Sequence, residues 1–464
     1  MSWKHPWIPT TESTQKKMLR SIGKDGIEDL FCNIPSEFRL GRDLDLPDSH
    51  TEMEVTERLQ ELEQKNKPAR NGRSFLGSGV APHYIPAAVS SVGGRSEFVT
   101  SYTSYQAEIS QGMLQTLFEY QSLMAELLEI DVVNSSMYDM ATALAEAARM
   151  AARVRKGNRF LVPGTINPEH YNVTVTYTEP VGIEIEKVDY DRTTGLMSIE
   201  DLRGRVDESV AGVYVENPSY LGFLETQVDE IAAITHKAGA VLVAGVDIIS
   251  LGLLRPPGDY GADIVVSEGQ PLGVSMSYGG PLLGIFGCVN DRKLVYQMPG
   301  RLVGMTRTTK EPYSRGYVLT LSAREQHIRR ERATSNICSN QALMAVQAAI
   351  HVSLLGKAGF RSLCETNLYK AHYAAKELGK IRGVKCPAIG NSFWNEFVVQ
   401  FSGVSVREVH SQLLKRNLHG GRILSDQFPE LGEAMLMCVT ELHSTATIDE
   451  LVKAIRDIVR GANQ

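Results

Sequence analysis

From about residue 76 to 335, short β-branched runs alternate with longer stretches whose apolar residues recur at helical spacing. That alternation predicts βαβ units around a mostly parallel sheet. Strands are expected at "RFLVPG" from 159, "VGIEIEKVDY" from 181, "AGVYVEN" from 211, "AVLVAGVD" from 240, "ADIVVSE" from 262 and "LLGIFGCV" from 282. Between them lie helix-like stretches such as "SSMYDMATALAEAARMAARVRKG" and "VDEIAAITHKAG", the second closing on Gly239 as helices commonly do.

The flanks read differently. Met18, Leu19 and Ile22, then Ile27, Leu30, Phe31 and Ile34, fall at roughly helical intervals and predict a helical arm. The arm ends in the mixed-sign run "TERLQELEQKNKPARNGR", read as a solvated helix face. After about 336, "NQALMAVQAAIHVSLLG" predicts an Ala-rich helix leading into a second α/β section. There "WNEFVVQF" and "EAMLMCVTEL" are strands flanking the helix "SVREVHSQLLKRN", and "TIDELVKAIRDIVRG" closes the chain. The expected organisation is an arm over 1–75, a large α/β domain over 76–335 and a small α/β domain over 336–464. There is no internal repeat and no low-complexity segment.

Composition narrows the function classes. At 464 residues, 43% hydrophobic and 22% charged, the chain has the make-up of a soluble protein with more than one core. A net charge of −6 with both signs interspersed argues against nucleic acid or a membrane surface as partner. Six cysteines, at 32, 288, 338, 364, 386 and 438, show no C-x-x-C and no metal-ligand spacing, which fits reduced thiols in the cytoplasm. The opening "MSWKHPWIPTTESTQKK" lacks an apolar signal-peptide core, and the apolar run "AVLVAGVDIISLGLL" is interrupted by Asp247 and too short to span a bilayer.

Ligands of open α/β sheets collect beyond the carboxyl ends of strands. That draws attention to Asp247, at the end of "VLVAGV", and to the turn Ser267 to Gln270 after "ADIVV". His83, His236 and His327 are scattered, without triad or metal spacing, and are read as structural. "VYVENPSYLG" from 213 is either a strand-end loop edging a ligand site or a plain Asn-Pro turn. No P-loop, Ser-His-Asp or paired-carboxylate pattern stands out.

Four strings go further: "YTSYQAEISQG" (102–112), "SSMYDMATALAEA" (135–147), "SEGQPLGVSMSYGGP" (267–281) and "REQHIRRERATSNICSNQAL" (324–343). Together with "IPTTESTQKKMLRSIG" in the arm, they resemble the P-protein of the glycine cleavage system, and within it the lysine-free subunit 1 (alpha) of organisms that split it into two chains. The resemblance spans essentially the whole sequence. It implies the aminotransferase-like fold of pyridoxal phosphate (PLP) enzymes, type I. It also implies an enzyme that removes CO2 from glycine and passes the aminomethyl group to the lipoyl arm of H-protein, in complex with a lysine-bearing subunit 2 (beta).

Site residues follow from the resemblance position by position. Counting back from Gly279-Gly280-Pro281, the family's Schiff-base lysine falls on Gln270 and the histidine before it on Gly269. An amide nitrogen is conjugated and is no nucleophilic amine, so no imine forms at Gln270. Asp247 stands where such enzymes pair an aspartate with the pyridine nitrogen. Asp139 opens the helix whose N-terminus in this fold receives the cofactor phosphate, placing a carboxylate there or simply capping the helix. The implied picture is a vestigial site at Asp139, Asp247, Gly269 and Gln270, with PLP held by the partner. Arg330, Thr334, Ser335 and Asn336 either reach the partner's PLP phosphate or brace the domain junction. Tyr102, Tyr105, Gln106 and Glu108 are candidates for the partner's glycine site or the lipoyl channel. The alternatives are a self-sufficient PLP enzyme using Lys293 or Lys310, and a purely structural chain that binds H-protein.

Overall fold

The computed structural model describes residues 7, 9–99, 101–337 and 339–462. It divides into two compact units, Met1–Asn66 and Lys67–Gln464. In the first, Thr11 caps the helix Glu12–Ser21, and Thr51 and Glu54 form a capping box on the helix Glu52–Glu63, which buries none of its residues.

In the second unit the β-branched runs become strands β1 (Val132–Val133), β2 (Arg159–Pro163), β3 (Glu184–Val188), β4 (Val210–Glu216), β5 (Val241–Asp247), β6 (Ile264–Glu268) and β7 (Gly284–Cys288). They form one seven-stranded sheet in the order β1-β7-β6-β5-β4-β2-β3. β3, β2, β4, β5 and β6 run parallel, while β7 is antiparallel to β6 and β1 to β7. Every residue of β4, β6 and β7 is buried, as expected of strands covered on both faces. The pleat divides them: Val241 and Val243 pack in one core with the helix Met140–Arg155, and Leu242, Ala244 and Val246 pack in another on the opposite face.

A hairpin of β8 (Leu302–Arg307) and β9 (Arg315–Thr320) follows. Then comes an antiparallel sheet of β10 (Val384–Lys385), β11 (Glu396–Phe401), β12 (Arg422–Ile423) and β13 (Ala434–Cys438) in the order β10-β11-β13-β12. The helix Ala342–Gly379 joins the two sheet regions, with Ala345 and Ala348 in the large core and Ala371 and Ala374 in the small one; its backbone breaks at Gly356, φ 59° and ψ −178°. Among the described residues it is the one helix long and apolar enough to cross a membrane by length and composition.

Residues 67–75, expected with the arm, belong to the second unit. Phe75 is fully buried in the small-sheet core, its N–H donates to the His419 carbonyl at 2.8 Å, and Ser74 bridges His419. The strand expected at "ADIVVSE" begins at Ile264 and ends on Glu268 as read, so Ser267 and Glu268 belong to β6 and the turn expected over Ser267 to Gln270 begins at Gly269. Cys338 lies outside the described residues, and the other five cysteines are free thiols.

Candidate functional site

The register of the large sheet assembles a set of acids. Asp247 pairs with Glu268 across β5 and β6, and Glu216 pairs with Gly245 across β4 and β5. Because side chains alternate along a strand, Glu216, Asp247 and Glu268 share the face of Tyr214, Val243 and Val266, which is covered by the helix Met140–Arg155. A fourth acid, Glu396, arrives from the first residue of β11. Its Oε1 accepts the Ser78 N–H at 2.6 Å, in a fit so close that a Cβ on Gly77 would stand 1.9 Å from that oxygen. The four acids, with His83, Asn167, His170 and Ser219, line a cavity of about 80 Å³, room for several waters.

Burial dominates their titration, since removing a carboxylate from water favours its protonated form. It pushes Glu216 up to about 7 against the Tyr220 N–H and the Tyr214 hydroxyl. It pushes Glu396 up to about 8, with Asp247 and Glu216 adding to the rise. Glu268 is likewise pushed up to about 8, against the N–H groups of Leu283, Met140 and Gln270. Asp247 is raised too, although the charge of His83 and the N–H groups of Ser250 and Ile249 oppose the rise. On the cavity wall His83 bonds Glu441 at 2.9 Å. Burial works against both charges, but the pair outweighs it, so His83 is raised and Glu441 falls to about 2. Burial lowers His170 to about 4.

The place expected to receive a PLP phosphate is already filled. The Asp139 side chain accepts the Thr142 N–H at 2.7 Å, capping the helix Met140–Arg155. Glu268 takes the next donor, the Met140 N–H, at 3.1 Å on Oε2, while its Oε1 accepts from Gln270 and Leu283, each at 3.0 Å. Gln270 is buried, its amide nitrogen donating to the Val274 carbonyl at 3.0 Å and its oxygen facing the Ala81 N–H at 3.3 Å. A Cβ on Gly269 would meet Leu283 at 2.8 Å. Asp247 spends Oδ1 on the N–H groups of Ile249 and Ser250. These residues do not fit covalently held PLP: the position after β6 carries no amine, and the N–H groups of Met140 and Thr142 at the helix start are engaged by the chain's own carboxyl groups. Lys293 and Lys310 are exposed and outside the cavity lining.

The other sequence candidates gather elsewhere. Tyr102, Tyr105, Gln106 and Glu108 are exposed on one loop, and Arg301 donates to the Tyr105 hydroxyl at 2.7 Å. Arg301 also lies 3.5 Å from Glu325 and lines a small cleft with Thr334 and Ser335. Two segments far apart in sequence thus border one region, whose cleft shares no lining residue with the acid-lined cavity. Arg330 and Asn336 are exposed, and Arg330 sits at φ 53°. Ser335 differs: it is buried, and its hydroxyl donates inward to Glu146 at 2.9 Å. His236 bonds Asp263, and His327 lies 3.6 Å from Glu325.

Sequence reasoning missed Glu396 and His170, and marked Glu216 and Ser219 only as part of "VYVENPSYLG" and Glu268 only as part of the turn Ser267 to Gln270. The two strand-end acids had a usable signal, since they obey the same positional rule that singled out Asp247.

The sequence profile of the glycine cleavage system P-protein family matches residues 5–455. The chain belongs to the P-protein family. It is 47% identical over 465 residues to the probable glycine dehydrogenase (decarboxylating) subunit 1 of Staphylothermus marinus, covering 98% of each chain. The protein of the same name from Pyrococcus horikoshii is 47% identical over 455 residues, 98% of this chain and 99% of that one. Among solved structures, a glycine decarboxylase (P-protein) of the glycine cleavage system in inhibitor-bound form matches with a TM-score of 0.86 and 38% identity, over 98% of this chain and all of that one. The sphingosine-1-phosphate lyase of Burkholderia pseudomallei, at TM-score 0.68 and 13% identity, covers 92% of this P-protein chain and 95% of its own. It shares the fold alone. The architecture is that of PLP-dependent type I enzymes, as expected.

Proposed function

We propose that this P-protein chain is the lysine-free subunit of a two-chain glycine decarboxylase, and that PLP resides in a separate lysine-bearing subunit. The assembled enzyme removes CO2 from glycine and hands the aminomethyl group to the lipoyl arm of H-protein. PLP in the partner supplies the electron sink. The observation that carries this reading is Gln270, a buried amide on the turn after β6 with its nitrogen committed to the Val274 carbonyl. This chain's part is to complete the partner's site from the region around Tyr105, Arg301 and Thr334. Tyr102, Gln106 and Glu108 lie beside it on the loop, and Arg330 and Asn336 near the cleft. Inward-turned Ser335 is reassigned to bracing. A cytoplasmic location goes with this reading.

The test is reconstitution. Alone and mixed with PLP, the chain is expected to show no visible imine absorbance and no borohydride-trapped pyridoxyl-lysine, and Gln270→Lys is expected to change neither, because Glu268 and Asp139 still engage the helix N–H groups. Glycine-bicarbonate exchange is expected only when both subunits are mixed. Full exchange by the lysine-bearing subunit alone, or a trapped adduct on Lys293 or Lys310, would overturn the reading.

A further inference from the structure

We propose that the acid-lined cavity at the ends of β4, β5 and β6 binds a small primary ammonium, either the ammonium ion or a short alkylammonium without a carboxylate. Buried carboxylates are costly unless a cation or hydrogen-bond donors meet them. The lining contains no lysine or arginine, and its His83 is already paired with Glu441. Glu268 is satisfied by three backbone N–H groups, but Glu396 spends only Oε1, leaving Oε2 without a donor among the described residues.

A second observation is independent of the acids. Ser219, 6% exposed, lines the cavity with its hydroxyl unpartnered, and the buried Nδ1 of His170, another lining residue, is unpartnered as well. Buried polar atoms rarely stay without partners. A carboxylate oxygen, a hydroxyl and the ring nitrogen of a neutral imidazole are all acceptors, and a primary ammonium brings three N–H donors with one positive charge. A metal ion matches less well, because no group of three or more His, Cys, Asp or Glu among the described residues has ligand geometry. An amino acid would bring a carboxylate that no cation in the lining could meet.

Calorimetric titration of the full chain with methylammonium chloride at fixed ionic strength tests this without any decarboxylation readout, so its failure and the failure of the proposed function are distinguishable. Saturable one-to-one binding is expected, with protons released as the cation stabilises the ionised acids, so that the heat changes with the ionisation enthalpy of the buffer. Glu396→Gln is expected to weaken binding by about tenfold or more, as loss of a charge-assisted bond does. Ser219→Ala, which removes one oxygen and should leave the fold intact, is expected to weaken it several-fold. Three outcomes would overturn the proposal: no saturable binding, unchanged affinity in both variants, or potassium or glycine binding as tightly as methylammonium.

Discussion

Ser335 sets two roles against each other. Its hydroxyl could serve a neighbouring subunit or this one, and here it donates to Glu146, whose carboxyl is completely buried, has an unpartnered Oε2 and lies 3.8 Å from Arg149. Burial raises the Glu146 pKa, so the charge of Arg149, the serine bond and the charge of Arg153 are what favour its ionised form. Removing the hydroxyl leaves a buried acid short of a donor, a loss of about 1–3 kcal/mol. Ser335→Ala is therefore expected to lower the thermal midpoint of this subunit alone and to leave PLP retention in the assembled complex unchanged. Thr334→Ala is expected to do the reverse, weakening PLP retention by about tenfold for one lost bond of roughly 1.5 kcal/mol, with the midpoint unmoved. Midpoint and PLP affinity measured on the same preparations separate the two; equal effects of both variants on PLP would return Ser335 to the interface. Asp247 was legible in the sequence because it ends a recognisable strand, whereas Asp139 and Gln270 were placed by the family resemblance. Ser219 was legible only within the loop "VYVENPSYLG", and Glu396 and His170 were not, because their convergence depends on how β11 and the helix Pro168–Thr178 meet the sheet in space.

Adjacent strands ending in acids have a consequence that a single residue does not. Glu216, Asp247 and Glu268 end β4, β5 and β6, and burial raises all three, with Glu396 joining them from β11. Between an unfolded value near 4.5 and folded values of about 7 to 8, the folded chain holds protons that the unfolded chain has lost, so this contribution to stability declines as pH rises. The raised pKa of His83 acts in the same direction, while the depressed Glu441 loses its contribution only as pH falls from about 4.5 towards 2. The thermal midpoint of the isolated chain is expected to fall from pH 5.5 to pH 8.5, and Glu216→Gln with Glu396→Gln to flatten that slope. A midpoint that rises over the range, or a slope the double variant leaves intact, would contradict the burial argument. The interior strands were readable because burial on both faces demands unbroken β-branched runs, as in "GVYVE" and "DIVVSE". β1, β10 and β12 were not, being two residues long and held by their neighbours, and the β8–β9 hairpin carries the polar "TRTTKEPYSR" that resembles a loop.

For the whole chain, the division at Asn66/Lys67 separates a small unit rich in exposed apolar side chains from one with buried cores of its own. Met18, Ile22, Phe38, Leu44 and Leu46 are all exposed in the first unit, and the helix Glu52–Glu63 buries nothing. Apolar surface on that scale commonly marks an interaction site, and stable subunit interfaces of this kind bury extensive area. In the proposed two-chain enzyme, the lysine-bearing subunit is the partner it would cover. A chain beginning at Lys67 should then keep its two sheets, because their cores draw on residues from Phe75 onward. Its circular dichroism and thermal midpoint are expected to stay close to those of the full chain, while sedimentation shows its complex with the lysine-bearing subunit weakened by about tenfold or more, the equivalent of a lost contact worth roughly 1.4 kcal/mol. If the shortened chain assembles as tightly as the full one, the arm's apolar residues do not serve that interface; if it fails to fold, residues 1–66 are part of the core that the division at Lys67 assigns elsewhere.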